Sequence, residues 1–187
     1  MTEPNTILFI NACVREESRT KRLADAFLSK TEGTVIERNV AETVFPTADE
    51  AFLRKRDRLI EERRFDDPLF DLAREFAAAD RIVVAAPYWD LSFPAALKQY
   101  FEQINVLGVT FVYTPEGIPK GLCRAKELVY IMTAGGPFAP TDYGYGYVKA
   151  LAELYYGIPE TRLIQAAGLD IDGADPEAIL RDAIESL

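Results

Sequence analysis

The stretch RIVVAAPYWDLSFPAALKQYF, residues 81–101, decides the fold. It opens on an unbroken apolar run, Ile82-Val83-Val84-Ala85-Ala86, β-branched in its first half. Such a run predicts a strand covered on both faces, as in a parallel sheet. Pro87 stops it, because proline has no N–H to give a sheet ladder. A tight turn, Tyr88-Trp89-Asp90-Leu91, follows. Ser92 is then placed to cap a helix that carries Pro94 in its first turn, where a missing N–H does no harm. Leu97, Tyr100, Phe101 and Ile104 continue at helical spacing. Strand, aromatic turn and helix put the turn in the crevice beyond a strand's carboxyl end, where open α/β sheets bind ligands.

The same pattern recurs on either side. Residues 6–12 and 35–40 predict two further strands, separated by the polar loop CVREESRT and a helix with Leu23, Ala26 and Phe27 on one face. Residues 127–133 and 162–167 predict a fourth and a fifth strand. Helices are expected over 47–63 (Phe52, Leu53, Leu59 and Ile60 inward, Arg54-Lys55-Arg56 in solvent), over 69–79, over 148–155, and from Asp175-Pro176 to the C-terminus. Strands alternating with helices mean a parallel sheet. With no linker-like break, residues 1–187 are expected to form a single α/β domain, a doubly wound five-stranded parallel sheet with helices on both faces. Two segments are expected as loops: GVTFVYTPEGIPKGL (108–122) and the aromatic PFAPTDYGYGY (137–147). Loops of that length in a compact domain usually have a function or are disordered.

Composition narrows the chemistry. The formal net charge of −9 argues against a nucleic-acid or anionic-membrane surface, both of which call for a basic face. No apolar stretch reaches the length of a membrane span and neither end reads as a signal peptide, so the expected address is the cytoplasm. Two cysteines, Cys13 and Cys123, are too few for a disulfide framework or a zinc site, and no metal is expected. The chain has no histidine, which removes Ser-His-Asp and Cys-His hydrolysis. Catalysis would have to use carboxylates, tyrosines, backbone dipoles or a cofactor.

Three strand ends converge on one crevice in this topology. The first offers Arg15, Ser18, Arg19 and Thr20 before a helix, and hydroxyls, free N–H groups and a positive helix end suit a phosphate. The plainer use of Ser18 or Thr20 is as a helix cap, with the arginines in solvent, and Glu16 and Glu17 oppose an anion unless they point away. There is no GxGxxG and no GKS/T. The second end offers Tyr88 and Trp89 as flat surfaces, or as plugs of the core. The third offers Ala134-Gly135-Gly136, where a bare backbone can approach a ligand, or simply a turn. A phosphate seat, an aromatic platform and a bare backbone patch on one sheet edge together describe a flavin mononucleotide site.

These residues resemble the flavodoxin-like NAD(P)H:FMN oxidoreductases, within them the azoreductase and quinone-reductase branch. ILFINACVREESRTKRLADAFL is similar to that family's strand, phosphate loop and first helix. AAPYWDLSFPAALKQYFEQINVLGVTFVYTPEGIPKGL resembles its isoalloxazine-binding turn, helix and following loop, and TAGG its pyrimidine-edge loop. The resemblance implies a flavodoxin-like fold, FMN as cofactor, NADH or NADPH as donor, and a quinone or azo compound as the small-molecule acceptor. It implies that Ser18, Arg19 and Thr20 hold the phosphate. Pro87, Tyr88, Trp89, Asp90 and Leu91 would border the ring, with an N–H of Trp89 or Asp90 facing N5 and O4. Thr133, Ala134, Gly135 and Gly136 would contact the pyrimidine end. It also implies a homodimer with the site at the interface, for which the Phe111-Val112-Tyr113 and 143–147 loops are suited.

This chain departs from the family at Cys13-Val14, where a hydroxyl residue and proline are common, and at Asp90, where a carboxylate that cannot donate replaces an amide. The expected reaction has two halves: hydride passes from the nicotinamide to the flavin, then electrons pass to the acceptor. Tyr113, Tyr143 or Tyr145 is available as a proton donor to that acceptor, and nothing in the sequence chooses among them. Two other readings share the fold: a flavodoxin-type electron carrier, and a flavin-free dimeric binding protein. The long 108–122 and 137–147 segments exceed what a carrier needs, whereas Glu16, Glu17 and Asp90 favour loss of the flavin.

Overall fold

The apolar runs become strands in the computed structural model, which describes residues 5–187. In chain order the strands are β1 (Thr6–Asn11), β2 (Thr34–Asn39), β3 (Arg81–Ala85), β4 (Phe111–Tyr113), β5 (Pro119–Gly121), β6 (Glu127–Thr133) and β7 (Glu160–Ala166). The helices are α1 (Arg19–Ser29), α2 (Glu50–Glu61), α3 (Asp71–Ala78), α4 (Ala95–Ile104), α5 (Tyr145–Ala150) and α6 (Pro176–Glu185). Five strands form one sheet in the order β2-β1-β3-β6-β7, every neighbouring pair parallel. From β1 the chain winds outward to β2, then returns to the other side of β1 to lay down β3. That reversal opens a crevice above the carboxyl ends of β1 and β3.

Side-chain alternation explains why the runs are continuously apolar. Ile7, Phe9, Val83, Ala85, Val129 and Ile131 face one layer, against Leu23 and Phe27 of α1 and Leu180 of α6. Leu8, Ile10, Ile82, Val84, Leu128 and Tyr130 face the other, against Phe76 of α3 and Leu97 and Phe101 of α4. A central strand buried on both faces needs an apolar residue at every position.

Local expectations changed in four places. Ser92 does not cap α4: Pro94 holds the N-cap position, and the Ser92 hydroxyl instead donates to the Tyr143 carbonyl at 2.8 Å. The 108–122 segment is not an irregular loop, because β4 and β5 pair antiparallel as a short hairpin. The 148–155 helix begins earlier, at Tyr145, and ends in a π-helical turn (Leu151–Tyr156) closed by Gly157 in the left-handed region at φ 71°. On α2, Leu53 is exposed, while Arg56 is half-buried and donates to the Glu102 and Asn105 carbonyls at the end of α4. Open carbonyls at a helix C-terminus attract a guanidinium.

The hairpin docks on the π turn through a glycine. A Cβ placed on Gly121 would lie 2.1 Å from the Tyr156 carbonyl carbon. Tyr156 itself is buried, stacked edge-on against Phe76 at 4.7 Å, with its hydroxyl donating to Asn105 Oδ1 at 2.8 Å. Gly121→Ala therefore forces two backbones apart. The expected cost is about 2 kcal/mol, or a fall in Tm of about 4–8 °C for a chain this long, read by thermal denaturation in circular dichroism.

Candidate active site

The first wall of the crevice is the start of α1. Ser18 takes the N-cap position at φ −78°, ψ 117°, and its hydroxyl accepts the Lys21 N–H at 3.2 Å. The N–H groups of Arg19 and Thr20 in the first turn have no acceptor among the described residues. Two free amides at the positive end of a helix attract an anion. The Thr20 hydroxyl is committed elsewhere: it shares a buried hydrogen bond of 2.7 Å with the Thr133 hydroxyl at the end of β6. The hydroxyls of Ser18 and Thr20 thus hold structure, and donors for an anion come from the backbone and from Arg15 and Arg19.

The second wall is the turn after β3. Ala86 and Tyr88 extend the ladder beyond the strand, donating to the Ile131 and Thr133 carbonyls at 3.0 and 3.1 Å. Trp89 and Ser92 then exchange two backbone hydrogen bonds, of 3.2 and 2.7 Å, which close a two-residue turn. Asp90 and Leu91 at its tip have φ of 50° and 66°. This is the left-handed conformation of a type I′ turn, which usually calls for Asn or Gly. The Trp89 N–H is therefore spent inside the turn, and the Asp90 N–H is the one left free. Tyr88 packs against the core and donates its hydroxyl to the Pro140 carbonyl at 3.1 Å, whereas Trp89 is 40% exposed.

The third wall is Thr133-Ala134-Gly135-Gly136, and a fourth was not legible in the sequence. The loop after β7 folds back on it, with Gly168, Leu169 and Asp170 donating N–H groups to the carbonyls of Gly136, Ala134 and Gly135 at 2.9, 3.2 and 2.9 Å. A Cβ on Gly135 would sit 2.3 Å from Asp170 Oδ2. Glycine there is what admits Asp170, whose Oδ1 accepts from Arg19 Nη1 at 2.6 Å. The N–H groups of Gly135 and Gly136 have no acceptor among the described residues.

Together these walls enclose a cavity of about 310 Å³, within the range of small-molecule sites. Of the residues proposed from sequence, Arg15, Ser18, Arg19, Thr20, Pro87, Tyr88, Trp89, Thr133, Ala134 and Gly135 line it. Asp90, Leu91 and Gly136 do not, since the I′ turn lifts Asp90 and Leu91 to an exposed tip. Val14, Glu17, Leu169 and Asp170 line it as well. Glu17 thus faces the cavity, and Glu16 does not.

None of the three tyrosines lines it. Tyr145 donates to Thr161 Oγ1 at 3.1 Å, near the amino end of β7 and so at the far end of the sheet. Tyr113 is half exposed on β4, beside a separate apolar hollow with Leu107 and Phe65, and its hydrogen bond with Tyr155 raises its pKa. Tyr143 is 65% exposed, with its carbonyl tied to Ser92.

A parallel sheet in this order, with a cleft at its switch point offering backbone amides, arginines and an aromatic turn, defines a doubly wound α/β protein whose cleft lies where such sheets bind ligands. The chain belongs to the flavodoxin-like fold family, whose model matches residues 5–187. It is 34% identical over 190 residues to an FMN-dependent NADH:quinone oxidoreductase of Clostridium beijerinckii, covering 97% of this chain and 95% of the relative. It is 36% identical over 188 residues to one of Lachnoclostridium phytofermentans, covering 96% and 94%. Among solved structures, the azoreductase of Bacillus anthracis strain Sterne superposes with a TM-score of 0.80 at 24% identity, covering 97% of this chain and 96% of that one. An FMN-dependent NADH-azoreductase of Bacillus anthracis strain Ames Ancestor, in complex with FMN, superposes with a TM-score of 0.78 at 22% identity, covering 97% of this chain and 95% of that one. These two likenesses establish the shared fold.

Two outcomes follow from this geometry. Leu91→Gly removes left-handed strain of about 1–2 kcal/mol against an entropic cost of about 0.5–1 kcal/mol, so Tm is expected to rise by about 2 °C. Cys13, 7% exposed, has its thiol pushed up to about 11 by burial, and Cys123 is pushed up to about 12. At pH 8 the Cys13 thiolate fraction is then on the order of one in a thousand. A disulfide-exchange reagent should titrate both thiols rapidly only after denaturation.

Proposed function

We propose that this chain is an FMN-dependent oxidoreductase that takes electrons from NADH and delivers them to a quinone or azo compound, working as a homodimer in the cytoplasm. The observation that carries the reading is the meeting of a helix end, an aromatic turn and a bare glycine backbone around one cavity. The curated relatives named as FMN-dependent NADH:quinone oxidoreductases, matched over almost their whole length, give it its chemistry. Bound FMN would supply two-electron transfer, accepting hydride from the nicotinamide and giving it up to the acceptor.

The chain's own residues do the rest. The free N–H groups of Arg19 and Thr20, with the Arg15 and Arg19 guanidiniums, would hold the phosphate. Pro87, Tyr88 and the exposed face of Trp89 would border the ring. The N–H group of Gly135 would stabilise negative charge that develops at the pyrimidine end. Dimerisation is supported by the exposed apolar residues of the 107–122 segment, Leu107, Tyr113, Ile118 and Leu122. A second protomer is then the source of any tyrosine that reaches the acceptor. Two free cysteines suit a reducing compartment.

The purified chain should take up FMN, bleach anaerobically with NADH and recover its colour on addition of a quinone. Failure to take up FMN, or bound FMN that NADH does not bleach, overturns the reading. Trp89→Ala should weaken FMN and riboflavin alike by about three- to tenfold, since an aromatic stacking contact is worth about 0.5–1.5 kcal/mol. Light scattering should give twice the chain mass.

A further inference from the structure

The phosphate end of the cavity is not simply basic. Arg15 and Arg19 line it, but so do Glu17 and Asp170. Asp170 is the carboxylate that pairs with Arg19: it reaches Arg19 Nη1 at 2.6 Å from a loop 151 residues further along the chain. Its backbone is held in place. The Asp170 N–H is fixed to the Gly135 carbonyl at 2.9 Å, and a Cβ at position 135 would lie 2.3 Å from Asp170 Oδ2, so that glycine there leaves the carboxylate room.

We infer that Asp170 is a rival of the flavin phosphate for Arg19, and so sets how tightly, and how selectively, the site takes a phosphorylated over an unphosphorylated flavin. The inference rests on the reading of the cleft as an FMN site. A phosphomonoester carries about −1.5 to −2 charges at pH 7, so it outcompetes one exposed carboxylate for a guanidinium. Asp170 is then left unpaired in the cavity wall, facing a like charge across a short gap. That repulsion is an energy the site loses on every phosphate it binds. Asp170 could instead hold Arg19 in place for the phosphate, and the two roles predict opposite signs. The bond is a single contact between side chains 35% and 66% exposed, and such a pair orients a side chain weakly. Rivalry therefore dominates.

The experiment is titration of FMN and, separately, riboflavin into the flavin-stripped full-length chain, read by quenching of flavin fluorescence. Asp170→Asn should tighten FMN about three- to tenfold and leave riboflavin unchanged. Asp170→Lys should tighten FMN further. The difference from the unaltered chain should shrink at high salt, because the pair is exposed. Among the described residues the Asp170 side chain makes no other hydrogen bond, so neither variant threatens the fold. Unchanged or weakened FMN binding in Asp170→Asn overturns the inference and assigns Asp170 the positioning role. Equal tightening of riboflavin overturns it too, since the effect is then not on the phosphate. Uptake of neither flavin by the unaltered chain overturns the FMN reading itself, and this inference with it.

Discussion

Thr133 is the residue on which the site depends. Its carbonyl accepts the Tyr88 N–H at 3.1 Å, and its hydroxyl shares a 2.7 Å bond with Thr20. It lies opposite Ala166 in the β6–β7 register, and Ala166 in turn accepts the Ala134 N–H at 2.9 Å. The start of α1, the aromatic turn, the glycine segment and the last strand are thereby joined at one buried position. Each bond is worth only about 1 kcal/mol net, but breaking one leaves a buried polar group unpaired, at about 1–3 kcal/mol. The arrangement holds because the alternatives are costly. It also explains why a cleft made of four loops from distant parts of the sequence has a defined shape.

The sheet and three of the four walls were legible because their signals are local. An apolar run ending in proline reads as a buried strand whatever surrounds it, and Ala134-Gly135-Gly136 reads as bare backbone. The fourth wall was illegible because nothing in Gly168-Leu169-Asp170 differs from an ordinary polar loop. Only the fold brings it to Gly135, through hydrogen bonds that span more than thirty residues. Ser92 was misread for a related reason. A serine two residues before a helix suits a cap, but the left-handed turn at Asp90 and Leu91 directs its hydroxyl to Tyr143 instead. The hairpin at 111–121 was hidden by shortness, since three-residue strands carry almost no periodicity. Thr20 shows the limit most clearly. A hydroxyl beside a helix start suits an anion or a structural bond equally well, and what decided it was Thr133, 113 residues away.

The charge of the cleft follows from the same geometry. Its donors are mostly backbone N–H groups, which carry no net charge and cannot be screened away as an exposed lysine would be. Its arginines are matched by Glu17 and Asp170. A site built this way holds an anion by direction rather than by net charge, consistent with a chain whose formal charge is −9 overall.

The turn at residues 89–92 shows how direction is maintained against strain. Two consecutive non-glycine residues in the left-handed region cost about 1–2 kcal/mol each, and a free loop would relax. This one is held on both sides: Tyr88 to the Pro140 carbonyl and Ser92 to the Tyr143 carbonyl, so that the 137–147 segment and the turn brace each other. Strain kept in place by surrounding bonds is a feature of working sites. Here it carries Asp90 and Leu91 out to an exposed tip while Trp89 stays in the cavity wall. A relaxed turn of the commoner hand would splay the two flanking residues, Trp89 and Ser92, and draw the indole from that wall. The left-handed pair thus keeps a flat apolar surface in the same cavity as the start of α1 and the glycine segment.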